Sequence, residues 1–193
     1  MAVERGILFL VVGPSGAGKD TLIDAARDSL GEQGQFVFPV RHITRAIDAG
    51  GEAHHPLDQA TFLTNVERGS YAFHWQAHGL CYGIPKHILG DLENNRHVVV
   101  NVSRSILDKA RQIVSPLIIL AIHVPDNILR ARLKARGREN NRDIEARVQR
   151  ASKYDVQGVD VISFSNDRPI AEATRLLIQT LSDCVEKESE QVT

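Results

Sequence analysis

Apolar runs alternate with amphipathic stretches along this chain. Residues 7–12 (ILFLVV), 36–40, 97–102 (HVVVNV), 116–124 (PLIILAIHV) and 159–165 (VDVISFS) are almost continuous in apolar or β-branched side chains. Residues 21–30, 103–114, 126–136, 143–154 and 168–187 mix apolar and charged positions in helical fashion. Strands without polar alternation are buried on both faces, so the pattern predicts an α/β chain, a central parallel sheet in three layers with helices on either side. In such sheets ligands bind outside the carboxyl ends of the strands. Residues 13–18, Asn101 and Asn166 all fall there. Residues 41–90 break the alternation; they are rich in Gly, His and Tyr, with short strand-like pieces at 71–76 and 80–82. They read as a small inserted subdomain. The expectation is a single domain over 1–193, with its core in 1–40 and 91–193 and the insertion at 41–90. His123, inside an apolar run, is expected in the core, and Phe73 and Trp75 in the core of the subdomain.

The first strand stops at a Gly-rich turn. Gly13, Pro14, Ser15, Gly16, Ala17, Gly18 and Lys19 fit the nucleotide-binding loop Gly-x4-Gly-Lys. Glycines tolerate backbone angles that turn successive N–H groups inward on one anion. The following helix adds its N-terminal dipole, and Lys19 a mobile point charge for the outer phosphates. This stretch predicts a nucleoside triphosphate site. The next position departs from the pattern: Asp20 stands where Ser or Thr is usual, with Thr21 one place later. Either Asp20 is a hard oxygen ligand for Mg2+, or it caps the helix and Thr21 serves the metal; Mg2+ favours the carboxylate. Residues 130–147 hold six arginines. A charge run of this kind is ordinarily a solvated helix face, but beside a phosphate loop it reads as a cationic lid over about 136–147.

Composition narrows the partners. The 193 residues are 42% hydrophobic, and 23 Lys and Arg nearly balance 24 Asp and Glu. No general field for nucleic acid is expected. Cys81 and Cys184 lack metal-type spacing, and two lone thiols suit a reducing cytoplasm. The first strand begins by residue 7, which leaves no room for a signal peptide, and no apolar run has the length of a membrane span. The polar tail 186–193 is expected to fray. His42, His54, His55, His74 and His78 cluster in the insertion without a zinc spacing. His42, His54 or His55 is a candidate donor to sugar hydroxyls or phosphate.

Taken together, these parts resemble a nucleoside monophosphate kinase of the guanylate kinase type, over nearly the whole chain. GPSGAGK (13–19) matches that family's phosphate loop, and Ile43-Thr44-Arg45 followed by Gly51-Glu52 resembles its acceptor-phosphate motif. Tyr82-Gly83-Ile84-Pro85 resembles its Tyr-Gly turn, Arg136-Gly137 followed by Arg147 its lid and catalytic arginines, and Asn166-Asp167 its strand-end adenine contact. The departures lie on the acceptor side. His74 precedes Trp75 where the family has a guanine-reading Glu, and Ile84 follows Gly83 where it has a hydroxyl. The strand-end aspartates are replaced by Asn101 and Ser103, and the second acceptor arginine is missing from residues 46–50. A site that reads a base by hydrogen bonds loses that base when the pairing groups go. Arg41, four before Arg45, is an added cation.

GPSGAGKD, RHITR, GGEAH, YGIP and VVVNVS together resemble the ribose 1,5-bisphosphate phosphokinases, a branch in which Asp20 is a regular feature. That resemblance implies ATP and Mg2+ as cofactors and a small phosphorylated sugar as substrate. It implies no nucleic acid, no membrane, and a monomer or homodimer. It assigns Lys19, Arg136 and Arg147 to catalysis, with Arg132 or Arg142 assisting. Residues Gly13 to Thr21 with Asn166 and Asp167 would bind the nucleotide, Asp20 or Thr21 the metal, and Arg41, Arg45 and Tyr82 the acceptor. The alternatives are a nucleotide kinase of altered base preference and a non-catalytic guanylate-kinase-like binding module. The intact Lys19, Arg136 and Arg147 speak against the module.

Overall fold

The computed structural model describes residues 5–31, 34–46, 53–137, 140–151 and 155–192. Among the described residues the elements run β1 (Leu8–Val12), α1 (Lys19–Leu30), β2 (Phe36–Val37), β3 (His42–Ile43), β4 (His55–Pro56), α2 (Gln59–Glu67), β5 (Tyr71–Ala77), β6 (Leu80–Pro85) and α3 (Ile88–Glu93). They continue with β7 (His97–Asn101), a 3-10 turn (Arg104–Ile106), α4 (Leu107–Ile113), β8 (Leu117–His123), α5 (Asp126–Arg136), α6 (Asn141–Ala151), β9 (Val161–Ser165) and α7 (Ile170–Val192).

One sheet has the order β2-β7-β1-β8-β9, and every pairing in it is parallel. β1 at its centre shows why its sequence has no polar alternation. Phe9 and Val11 pack with Ala26, Leu177 and Leu181 from α1 and α7, whereas Leu8, Leu10 and Val12 pack with Leu92, Leu107 and Ala110 from α3 and α4. Both faces are core. The second core also takes in Phe73, Trp75 and Ile84, which anchors the smaller sheet, β4-β3-β6-β5, on the larger one. Leu129, Leu133, Ile144 and Val148 form a separate cluster that holds α5 against α6. Gly137, in the left-handed conformation, ends α5.

The strands expected for the larger sheet are present with shorter ends, whereas those expected over 71–76 and 80–82 extend to Ala77 and Pro85. The strand expected over 36–40 keeps only Phe36–Val37, since Pro39 has no N–H for a ladder. The helix expected over 168–187 begins at Ile170, with the Pro169 carbonyl accepting from Glu172 and Ala173. It then runs to Val192, so the tail expected to fray is helical as far as that residue. The stretch at 103–114 divides into the 3-10 turn and α4. α2 and α3 were not legible in the pattern. His123, expected in the core, is exposed at the last position of β8. Gly51, Glu52, residues 47–50, residues 138–139 of the expected lid and Tyr154 lie outside the described residues.

A buried histidine marks the edge of the core. His97 is 3% exposed, accepts a hydrogen bond from the Ile7 N–H at its Nδ1 (3.0 Å), and lies 5.1 Å from the Phe36 ring. Burial holds its pKa below the ordinary 6.5. The unfolded chain therefore binds a proton that the native state resists, and His97's share of stability is complete above 6.5 and lost as pH falls toward the depressed native value. Urea midpoints measured on either side of that window should decline on the acid side, and His97→Phe should remove part of the decline.

Candidate active site

The chain leaves β1 at Val12 and enters α1 at Lys19, so residues 13–18 form a tight loop at the carboxyl edge of the sheet. Gly16 and Gly18 have φ of +91° and +84°, a region L side chains avoid. At Gly13 the constraint is proximity, because a methyl there would sit 2.5 Å from the Ile122 carbonyl oxygen. Gly13→Ala should lower stability by about 1–3 kcal/mol through that clash, read as a shift in the denaturant midpoint.

The loop is fastened from beneath. Asn166 is 3% exposed; its Nδ2 donates to the Ala17 carbonyl at 2.7 Å, and its backbone N–H to the His123 carbonyl. Arg132 reaches the same Ala17 oxygen at 3.3 Å. Lys19 curls back, donating from Nζ to the carbonyls of Gly13 (2.8 Å) and Pro14 (3.0 Å). Burial lowers its pKa to about 8, with Arg41 lowering it further and Asp20 opposing both. Arg147 of α6 donates to Ser15 Oγ at 2.9 Å, so α6 touches the loop.

The loop opens into a cleft of about 1000 Å³. Arg41, Arg45, Arg104, Arg132, Arg136, Arg147, Arg150 and Arg168 all line it. Asp20 and Asp24 are the acidic side chains among the described lining residues. The excess of positive charge suits two polyanions held close together.

Arg41 is 7% exposed and donates from Nη1 to the Asn101 carbonyl at 3.0 Å. Its guanidinium lies 5.6 Å from the Tyr82 ring centroid and 6.0 Å from that of Trp75. Those two rings are stacked 5.2 Å apart at an interplanar angle of 2°. Burial lowers the Arg41 pKa to about 10, which leaves it charged at neutral pH. Arg45 and His54 hold one another through side chain (3.2 Å) and backbone carbonyl (3.0 Å). Thr44 faces inward, where its Oγ1 accepts from the Cys81 N–H at 2.8 Å.

Most residues singled out in the sequence converge on this cleft: Pro14, Ser15, Thr21, Tyr82 and the arginines 41, 45, 136 and 147 line it. Ala17 is wholly buried and acts through its carbonyl. Asp167 is exposed and does not line the cleft, and neither do Arg142, His42, His54 or His55. His42 is instead spent on the Tyr71 hydroxyl, at 3.2 Å. Arg104, Arg150 and Arg168 were missed; only Arg150, three residues after Arg147 on the same helix face, carried a readable signal. Trp75 is buried, as expected, but also lines the cleft. No group of three or more His, Cys, Asp or Glu able to hold a metal occurs among the described residues.

The hairpin register places His74 and Ile84. Residues directly opposite on an antiparallel pair share a face. Ile84 is opposite Phe73, whereas His74 is opposite Gly83 and exposed. The face-mate of Ile84 is thus Phe73, and both are 0% exposed. The two form an apolar pair in the core, outside the lining of the cleft.

The sequence pattern of guanylate kinase matches residues 5–173. The chain belongs to the guanylate kinase family. This guanylate kinase family member is 44% identical over 170 residues to a ribose 1,5-bisphosphate phosphokinase of Desulfomicrobium baculatum, covering 88% of this chain and 91% of that one. A Brucella melitensis protein of the same description is 38% identical, with 95% of each covered. A bifunctional ribose 1,5-bisphosphokinase-thymidine phosphorylase of Azorhizobium caulinodans is 44% identical over 84% of this chain, which spans 23% of that protein's length. In fold, the family member is similar to a guanylate kinase from Anaplasma phagocytophilum, with a TM-score of 0.64 at 18% identity over 95% of this chain and 88% of the other. Among its described residues no helix is long and apolar enough to cross a membrane.

Proposed function

We propose that this chain transfers the γ-phosphoryl group of ATP to the C1 phosphate of ribose 1,5-bisphosphate, giving ADP and 5-phospho-α-D-ribose 1-diphosphate. The observation that carries the choice of acceptor is the lining of the cleft: Arg41 and Arg45 belong to it, whereas His74 and Ile84, at the positions that resemble the base-reading ones, do not. An exposed His74 and a fully buried Ile84 offer no partner in the cleft to a purine's N–H groups, while Arg41 and Arg45 still offer charge to an acceptor's phosphates. The description of the full-length relatives agrees with this reading.

The attacking group is a phosphate oxygen, already ionised near neutrality, so no general base is needed. It forms a bond to the γ-phosphorus as the bond to the β–γ bridging oxygen breaks, and ADP leaves with the electron pair. Catalysis is then positioning and neutralisation of spreading charge. Gly13 to Thr21 wrap the donor's phosphates, and Lys19 exchanges its two carbonyl partners for phosphate oxygens. Arg136 and Arg147 close over the transferred group, with Arg132 securing the loop. Asn166 holds the loop that faces the nucleotide, with Asp167 beside it at the adenine end. Arg41, Arg45 and Tyr82 grip the acceptor. The 41–90 segment is the acceptor unit, and residues about 136–147 are the lid.

The donor atoms also fit Mg2+. Asp20 keeps 45% of its side chain exposed beside Thr21 in the cleft, and its Oδ1 alone is engaged among the described residues. One carboxylate with a hydroxyl and phosphate oxygens is a set Mg2+ accepts. The ion, when bound, neutralises charge on the transferring phosphates.

ADP release from Mg·ATP with ribose 1,5-bisphosphate or GMP as parallel acceptors tests the proposal. Strong turnover with the sugar and little with GMP is expected. Preference for GMP would return the chain to the nucleotide kinases, and no turnover with either, together with no ATP binding, would favour a binding module.

A further inference from the structure

We propose that Asp20 and Asn101 are a charge-exchanged pair, in which Asn101 is the positioning residue that orients the metal-facing carboxylate and ties it to the acceptor side. The inference rests on the reading of this chain as a Mg·ATP-dependent kinase. In P-loop enzymes generally, the loop gives the metal a hydroxyl and a neighbouring strand end gives the carboxylate. Here the carboxylate is on the first turn of α1, and the strand end carries a carboxamide.

The two side chains are in contact. Asn101 Nδ2 donates to Asp20 Oδ1 at 2.5 Å. The sheet register accounts for it: Val11 pairs with Asn101 across β1 and β7, which sets the end of β7 beside the root of the phosphate loop. A carboxylate is kept at that edge of the cleft, carried by a different segment. A second carboxylate at Asn101 would repel Asp20 at this distance; a carboxamide instead donates to it and fixes its direction.

The same residue reaches the acceptor wall. The Asn101 carbonyl accepts from Arg41 Nη1 at 3.0 Å, and Arg41 Nη2 lies 4.0 Å from the Asp20 Oδ1 that Asn101 holds. Side chain and main chain of one residue thus join the donor-side carboxylate to the acceptor-side arginine. A mere helix cap would need neither contact.

Calorimetric binding of a non-hydrolysable ATP analogue, with Mg2+ and with EDTA, separates the possibilities. Asp20→Thr and Asn101→Ala should each weaken binding of the magnesium complex by about 10–100-fold. Asp20→Thr should bind the metal-free analogue at least as well as the wild type, because a charge facing the phosphates is gone. The double exchange Asp20→Thr with Asn101→Asp should recover most of the affinity that Asp20→Thr loses. Recovery, together with a reduced magnesium dependence in Asn101→Ala, supports the pair. A double variant no better than Asp20→Thr, or an unchanged magnesium dependence in Asn101→Ala, overturns it while the kinase reading stands. Failure of the wild type to bind the analogue in either condition overturns the kinase reading itself.

Discussion

Lys19→Ala should lower kcat by about 10³-fold or more, with the fold retained. In the described state Lys19 makes two hydrogen bonds to carbonyls of its own loop, so its removal takes little from the hydrophobic core. What it takes is the cation that must follow the outer phosphates through the transition state. The pH profile provides a second, independent reading. With its pKa lowered to about 8, chiefly by burial, Lys19 loses charge in the free protein as pH rises through that value. Since kcat/KM reports ionisations of the free enzyme, kcat/KM for ATP should fall above about pH 8. Bound phosphates restore the ammonium, so kcat itself should hold to higher pH. Lys19→Ala should show neither feature.

Arg41→Ala should reduce kcat/KM for the acceptor by about 10²–10³-fold, mainly through KM. Its guanidinium is buried, charged, bonded to the Asn101 carbonyl and packed over Trp75 and Tyr82. Truncation removes the cation nearest the junction of the two half-sites and leaves a buried carbonyl without its donor. It also uncovers an aromatic pair that the guanidinium now caps, so a lower melting temperature should accompany the kinetic loss. Arg41→Lys should rescue neither fully, because an ammonium lacks the planar fork that bonds and stacks at once. Steady-state kinetics with the acceptor varied at saturating ATP check this. A KM close to that of the wild type would remove Arg41 from the acceptor site.

How legible the chain was depended on the range of the interactions involved. The parallel sheet and phosphate loop were readable because β1 is apolar without alternation and Gly13 to Lys19 has fixed spacing, both properties of adjacent residues. β5 was readable as a strand but not in its register. A hairpin shifted by one position exchanges the faces of all its side chains, and the two-residue turn at His78–Gly79 places Phe73 opposite Ile84 and His74 opposite Gly83. α2 and α3 escaped notice because they are short, nine and six residues, too few to show a helical period. Asn166 was readable as a strand-end residue, but its bond to the Ala17 carbonyl crosses most of the chain and leaves no local trace. The same holds for the contact of Asn101 with Asp20, which joins two segments that only the β1–β7 register brings together.

The central claim is that phosphate is added to a sugar phosphate rather than to a nucleotide. ³¹P NMR of a reaction containing Mg·ATP, ribose 1,5-bisphosphate and GMP in equal amounts tests it in one sample. The account predicts that the C1 phosphate resonance gives way to a coupled diphosphate pair while the 5-phosphate persists and GMP is unchanged. Accumulation of GDP with the sugar bisphosphate intact would contradict it.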